Sequence, residues 1–372
     1  MKEQSKTGVI SMGVKAPIIR EGDDLKRIVI ESIDNVLNEN GMTVKDGDII
    51  GITESVVARA QGNYVTIDDI VQFMDEHGFN KNLVLYSPIM SRNRFAMILK
   101  AFARYADNIK IAIYDKVDEV GNPTMLPNPF TGVDVMKYYK EICDSENCYF
   151  SSVTCNKFDA IHEDGDFTKI DCRCHTTLRY PDVYTLANIM DEPIKRKDGT
   201  ISGYNADWGL LGSNKADEET LKLFPQKDKA QTLVNEIQTF FKENVGAHVE
   251  VLVYGDGCFK SPEKNGVSIW EFADPTTEIA LTSGLNRMPN EIKVKALADD
   301  KYKNLKGEEL ENAIKKEIRN KQSDLKNNML SQGTTPRHCV DLIVSLMDLI
   351  SGSGDRCTPF VFIRNYFNNN LE

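Results

Sequence analysis

Near the middle of this 372-residue chain, Val249-Glu250-Val251-Leu252-Val253-Tyr254-Gly255-Asp256-Gly257-Cys258-Phe259-Lys260 places one acidic residue between two glycines. It follows an apolar, β-branched run. The pattern predicts a buried strand that stops at the glycines and presents the Asp256 carboxylate from a tight turn. Ligands of α/β proteins gather beyond the carboxyl ends of strands. Asp256 therefore stands where a metal ion or a phosphate is handled, with Lys260 four residues on. The competing reading is a strand-to-loop corner in which Asp256 only serves its own turn.

Three further polar segments adjoin apolar ones. Thr53 to Gly62 reads as a loop leaving a strand and holds Ser55, Arg59, Gln61 and Gly62. Asn205 to Asn214 contains Asp207, and the C-terminal loops contain Arg337 and Asp355. Loops held by a rigid scaffold are where catalytic groups concentrate. Separated aspartates with nearby lysines and arginines suit a hard divalent cation, Mg²⁺ or Mn²⁺, that bridges phosphate oxygens. The cationic side chains would offset charge as a phosphoryl group moves. Other chemistries lack their residues. There is no Gly-x-Ser-x-Gly elbow, no Walker motif and no GxGxxG after a strand. Cys172-Arg173-Cys174-His175 with Cys148 and Cys155 is the only cluster suggestive of zinc, and its single-residue cysteine gap fits a zinc site poorly. Scattered buried thiols are the simpler reading.

The positioning elements show in the periodicities. Asp24 to Asn38 repeats apolar residues at helical spacing, with Asp23 as N-cap and Gly41 past the end. Asp48 to Thr53, Leu83 to Tyr86 and Ile109 to Tyr114 read as strands. Between the last two, Ser91 to Ala106 predicts a helix with Phe95, Ile98, Leu99 and Phe102 on one side. Arg92 and Arg94 open that helix, where free N–H groups favour anions. The alternative for them is a solvated basic face on a core helix. Strand–helix–strand alternation over residues 48–114 points to an α/β arrangement. Residues 121–200 are turn-rich and read as an insertion between an N-terminal α/β part (8–120) and a metal- and nucleotide-binding part (201–372), together two lobes. Later helices are predicted near Glu291–Asp299, Gly307–Lys321 and Val340–Ile350, with a last strand at Phe360–Ile363.

A net charge of -11 argues against nucleic acid and anionic membranes as partners. No apolar run approaches the ~20 residues needed to span a bilayer. The polar first ten residues lack the apolar core of a signal peptide, and eight cysteines in so long a chain are no disulfide framework. Both observations indicate a cytoplasmic protein.

Ala16-Pro17-Ile18-Ile19-Arg20-Glu21-Gly22-Asp23-Asp24-Leu25, then Asp46-Gly47-Asp48-Ile49-Ile50, then Thr53-Glu54-Ser55-Val56-Val57-Ala58-Arg59-Ala60-Gln61-Gly62 resembles the start of the coenzyme F420-0:γ-glutamyl ligase family. Family members read Pro-x-Ile-x-x-Gly-Asp-Asp-Leu, Asp-Gly-Asp-Ile/Val and Gln-Lys-x-Val-Ser-Lys-x-Glu-Gly. Gly255-Asp256-Gly257 looks like the family's Ser-Asp-Ser/Thr-x-Gly-Arg strand end. Asn205-Ala206-Asp207 with Ser213-Asn214 looks like its Asn-Ala-Gly-x-Asp-x-Ser-Asn loop at altered spacing. Glu54-Ser55 replaces the family's Gln-Lys pair, and Cys258-Phe259-Lys260-Ser261-Pro262 replaces its Gly-Arg-Pro-Trp-Arg tail.

The resemblance implies a mixed α+β fold unlike the Rossmann type, a homodimer, and a GTP- or ATP-dependent ligase. It would join L-glutamate, or another amino acid, to a small-molecule carboxylate through an acyl phosphate. Asp256 and Asp207 would hold Mg²⁺ or Mn²⁺, with a monovalent cation (K⁺) alongside. Asp256 and Lys260 would act in catalysis, and Ser55, Arg59, Gln61, Gly62, Arg92 and Arg94 would bind the nucleotide. Two alternatives remain: a ligand-binding homologue without turnover, and a metal-dependent phosphohydrolase.

Overall fold

Strand β2 (Ile49–Thr53) is buried on both sides, so it must lie inside a sheet covered on two faces. Ile50 and Ile52 join one apolar cluster and Ile49 joins another. The computed structural model describes residues 7–86, 92–113, 126–154, 165–172, 182–258, 273–287, 292–321, 339–352 and 356–367; of 92–94, 256–258 and 273–277 it describes the backbone.

The first sheet runs in the order β1 (Ile10–Val14), β13 (Phe360–Arg364), β2, β11 (Glu250–Cys258), β12 (Ala273–Leu281). Only β2 and β11 pair in parallel; the other neighbours are antiparallel. Helices α1 (Leu25–Glu39) and α6 (Lys227–Phe240) share the core on one face, and α8 (Cys339–Ser351) covers the other. α8 passes close to β2 at Gly51, where a Cβ would meet the end of the Met347 side chain and that side chain would have to shift. The N-cap of α1 is Asp24, whose Oδ1 accepts from Arg27 N at 3.1 Å. Asp23, the cap suggested by the sequence, accepts from Arg20 N at 2.6 Å and closes the preceding turn instead. Arg364 at the end of β13 forks onto buried Asp48 at 2.9 and 2.6 Å, locking the C-terminal strand to the entry of β2.

A small antiparallel sheet follows the order β3 (Tyr64–Thr66), β10 (Thr220–Lys222), β9 (Asn214–Lys215). The third sheet is entirely parallel: β6 (Tyr149–Thr154), β5 (Asn108–Ile113), β4 (Asn82–Tyr86), β7 (Thr168–Asp171), β8 (Val183–Thr185). Helix α4 (Arg92–Tyr105) connects β4 to β5, and α5 (Val135–Ser145) connects β5 to β6. In chain order the strands read 3-2-1-4-5, the arrangement of doubly wound sheets. This sheet draws strands from both sides of residue 120. The whole is mixed α+β: a mixed sheet of the kind the resemblance implied, beside a wholly parallel one that it did not.

Phe95, Ile98, Leu99 and Phe102 of α4 are all fully buried, in one cluster with Leu83 and Ile111 as well as Ile50 and Ile52, so a single core links the sheets. On the opposite face of α4 the two described cations are paired. Lys100 and Arg104 grip Glu219 in the β9–β10 turn at 2.5 and 2.7 Å, and Arg104 also bonds Glu146 and Asp68. Helix α3 (Ile67–Glu76) packs beside α4 and carries a capping box between Thr66 and Asp69. Helix α7 (Gly307–Asn320) is largely exposed. The helix suggested near 291–299 is a single turn, Val294–Ala296, running on into a wider turn at Leu297–Lys301. Among the described residues no helix is long and apolar enough to cross a membrane.

Hydrogen bonds from Arg104 and Lys100 hold the Glu219 carboxyl down to about 2, from an ordinary 4.5. Stability from these pairs is complete above the unfolded value and is lost as pH falls through the folded one. Glu219 is half exposed, so solvent screens the effect. The Tm of Glu219→Gln is expected to fall less than that of the parent between about pH 5 and about pH 2.5, a difference readable by calorimetry.

Candidate functional site

Strands β2 and β11 run in the same direction, and β2 ends at Thr53, level with Tyr254 of β11. From that level α2 (Glu54–Gln61) departs directly. Thr53–Gly62 is therefore a helix and not the loop suggested by its polarity. It ends because Gly62 adopts φ 65°, a left-handed C-cap that other residues enter at a cost.

β11 does not stop at Gly255. It continues through Asp256 to Cys258, still paired with β12, and this corrects the tight turn read from the glycines. The pairing is irregular there. Tyr254 faces Glu278 while Val253 faces Ala280, and Gly257 faces Asp274 while Gly255 faces Thr277. Each shift leaves an extra residue on β12, and the second leaves Pro275 and Thr276 opposite Asp256. Proline has no N–H for the ladder, so a bulge is where a strand tolerates it. Bulges also re-aim side chains, often beside active sites.

Glu54, the first residue of α2, lies against this strand: a Cβ on Gly255 would overlap Glu54 Cγ and Cβ. Its carboxylate receives Lys222 Nζ at 2.8 and 2.6 Å, with the two side chains only 4% and 5% exposed. Lys222 comes from β10, opposite Tyr64 on one side and Asn214 on the other. The far end of α2 is tied to the same segment, since Gln61 Oε1 accepts from Gln226 N at 2.8 Å. Asn63 Nδ2 donates to Phe224 O and Tyr204 O at 2.7 and 3.1 Å. Asn205 Nδ2 bonds Phe224 O and Pro225 O, while its Oδ1 accepts from the N–H groups of Asp207 and Trp208. Asn205 thereby turns the 205–214 segment back onto the exit of β10. Gly209, at φ 47°, is pressed against the carbonyls of Leu186, Ala187 and Ile189, where a Cβ would not fit.

The structure therefore gathers α2, the Asp256 strand and the 205–214 segment around β10. Asp207 is half-buried within that segment and engaged. Ser55 is partly exposed in the first turn of α2, and Arg59 is exposed in its last turn. Gln61 and Gly62 are committed to intramolecular contacts, Gly62 against the Glu21 side chain. Arg92 and Arg94 open α4 beside the third sheet, and their side chains fall outside the described residues, as do the Asp256 side chain and all of Lys260, Arg337 and Asp355. Burial pushes the Tyr254 hydroxyl well above its ordinary value, with Ser351 opposing, so the group next to Gly255 stays protonated and neutral. Among the described residues no three His, Cys, Asp or Glu side chains converge to hold a metal ion. Cys172 is buried in the core, and Cys174 and His175 lie outside the described residues.

Lys222 is the residue that sequence reasoning missed. Its signal was there: a lone lysine in Thr220-Leu221-Lys222-Leu223-Phe224, an apolar run where a charge must find a buried partner.

Comparison with known proteins places a family model described as F420-0:Gamma-glutamyl ligase over residues 13–365. A curated relative, the coenzyme F420:L-glutamate ligase of Methanothermobacter thermautotrophicus, is 38% identical over 64 residues, which is 17% of this chain and 24% of that protein. The match thus spans about a quarter of the relative's length.

Proposed function

This chain belongs to the F420-0:gamma-glutamyl ligase family, and from that membership we propose that it joins the amine of L-glutamate, or of another amino acid, to a carboxylate of a small molecule. The observation that carries the reading is the family match from residue 13 to 365, which takes in every element around the first turn of α2. Amide formation from a carboxylate needs activation. In this reading an acceptor carboxylate oxygen attacks the terminal phosphorus of GTP or ATP, and the nucleoside diphosphate leaves. The amine then attacks the acyl carbon, the C–O bond to phosphate breaks, and inorganic phosphate departs with the amide formed. The carboxylates of Asp256 and Asp207 are the donor type a hard divalent cation prefers. Arg59, exposed in the last turn of α2, is a cation open to a triphosphate arriving from solvent. A homodimer in the cytoplasm is part of the same reading.

The test is to incubate purified protein with GTP or ATP, Mg²⁺ or Mn²⁺, L-glutamate, and either coenzyme F420-0 or a panel of folate-like and peptide-like carboxylates. Mass spectrometry should find a glutamyl adduct in step with nucleoside diphosphate. Nucleotide binding with no turnover on any acceptor would identify a binding homologue. Phosphate release without amide would identify a phosphohydrolase.

A further inference from the structure

The Glu54–Lys222 pair is a structural puzzle if stability is its only purpose. Replacing a buried ion pair by apolar residues of similar volume is often neutral or stabilising, because both charges lose their hydration when buried. Its location suggests another purpose. Glu54 begins α2 where β2 ends, level with Tyr254 of β11, and lies in space that only a glycine at 255 leaves open. Lys222 is held in β10 between Tyr64 and Asn214, and the residues just after it anchor Asn63 and Asn205. One pair of bonds, 2.8 and 2.6 Å long, thus joins three segments: the first turn of α2, the Asp256 strand, and the 205–214 segment.

We propose that Lys222 and Glu54 are positioning residues for the ligase site: their ion pair sets the spacing between the Asp256 strand, Ser55 at the start of α2, and Asp207. Neither touches substrate, since both side chains are 95% or more enclosed. A charged fork is suited to this task because its geometry is directional. An apolar contact in the same space allows the helix to slide and rotate against the strand. The pair also leaves Lys222 neutralised, so it adds no free positive charge for a phosphate, and the triphosphate must be met by other cations.

This inference rests on the ligase reading, and the experiment separates the two. Three proteins are compared: the parent, the double variant Glu54→Leu/Lys222→Met, and the conservative Lys222→Arg. Each is measured for Tm, for binding of GTP with Mn²⁺ by calorimetry, and for kcat and KM of nucleotide-dependent amide formation. The apolar double variant is expected to keep or raise its Tm while kcat falls at least tenfold, with KM for nucleotide changed less. Lys222→Arg should recover part of the lost kcat. A double variant that is folded and turns over like the parent overturns the positioning role and leaves the ligase reading standing. A double variant that loses Tm and kcat together, with Lys222→Arg failing to recover either, also overturns it, in favour of a purely structural pair. A parent that neither binds nor turns over nucleotide removes the ligase reading, and this inference with it.

Discussion

Gly255→Ala is expected to destabilise the protein by about 3–5 kcal/mol, the range for breaking a buried ion pair from one side. The added Cβ would occupy the position of Glu54 Cγ, which is no flexible tip: the carboxylate beyond it is held at 2.8 and 2.6 Å by Lys222. Glu54 must therefore move, and Lys222 is left charged and buried without its partner. Urea denaturation of parent and variant measures the loss. A second measurement isolates the cause. In a Glu54→Ala/Lys222→Met background the overlap with Cγ is gone and only the close approach to the Cβ of residue 54 remains, so the cost of the same glycine substitution should fall to about 1–3 kcal/mol, the scale of ordinary overpacking, a non-additivity expected of residues in contact. Equal costs in the two backgrounds would show that Gly255 is required for some reason other than Glu54.

That glycine also shows where sequence reasoning succeeds and where it stops. Elements with a strong period were legible. The apolar face of α1, the strand β2 and the face Phe95, Ile98, Leu99, Phe102 of α4 announce themselves, because burial on one or both sides forces a repeat of 3.6 or 2. Gly255 and Gly257 read as a stop because glycine commonly ends strands. The strand continues because its irregularity is absorbed by extra residues on β12. β12 itself, with Pro275 inside it, carries no sequence signal of a strand. α2 has only eight residues, too few for two full turns of pattern to outweigh its polar composition. The parallel sheet was half visible. β4 and β5 are central and apolar, whereas β6 is an edge strand with exposed and half-exposed positions throughout. The site was legible as separate pieces, Thr53–Gly62, Asn205–Asn214 and Asp256. What joined them was not, because Lys222 lies 168 residues from its partner and pairing at that distance leaves no local trace.

Asp256→Asn is expected to reduce kcat/KM for nucleotide-dependent amide formation by ~10³-fold, equivalent to about 4 kcal/mol of transition-state stabilisation, the scale of a lost charge at a phosphoryl-transfer centre. β11 is otherwise a strand of buried positions up to Gly255, and its ladder to β12 breaks register just where Asp256 stands opposite Pro275 and Thr276. Bulges are often found beside active sites, and this one adjoins Gly255, against which Glu54 of the first turn of α2 packs, with Lys222 carrying the link on to the 205–214 segment. Asparagine keeps the shape and removes the charge, so Tm should stay close to that of the parent while turnover collapses. Asp207→Asn serves as the comparison. Asp207 is half-buried and already engaged, so a smaller loss is expected there. If Asp256→Asn retains turnover within about threefold of the parent, the charge at this bulge contributes almost nothing to the transition state. The reaction centre would then have to be sought away from the tip of β11, on the side of α2 where Arg59 is open to solvent.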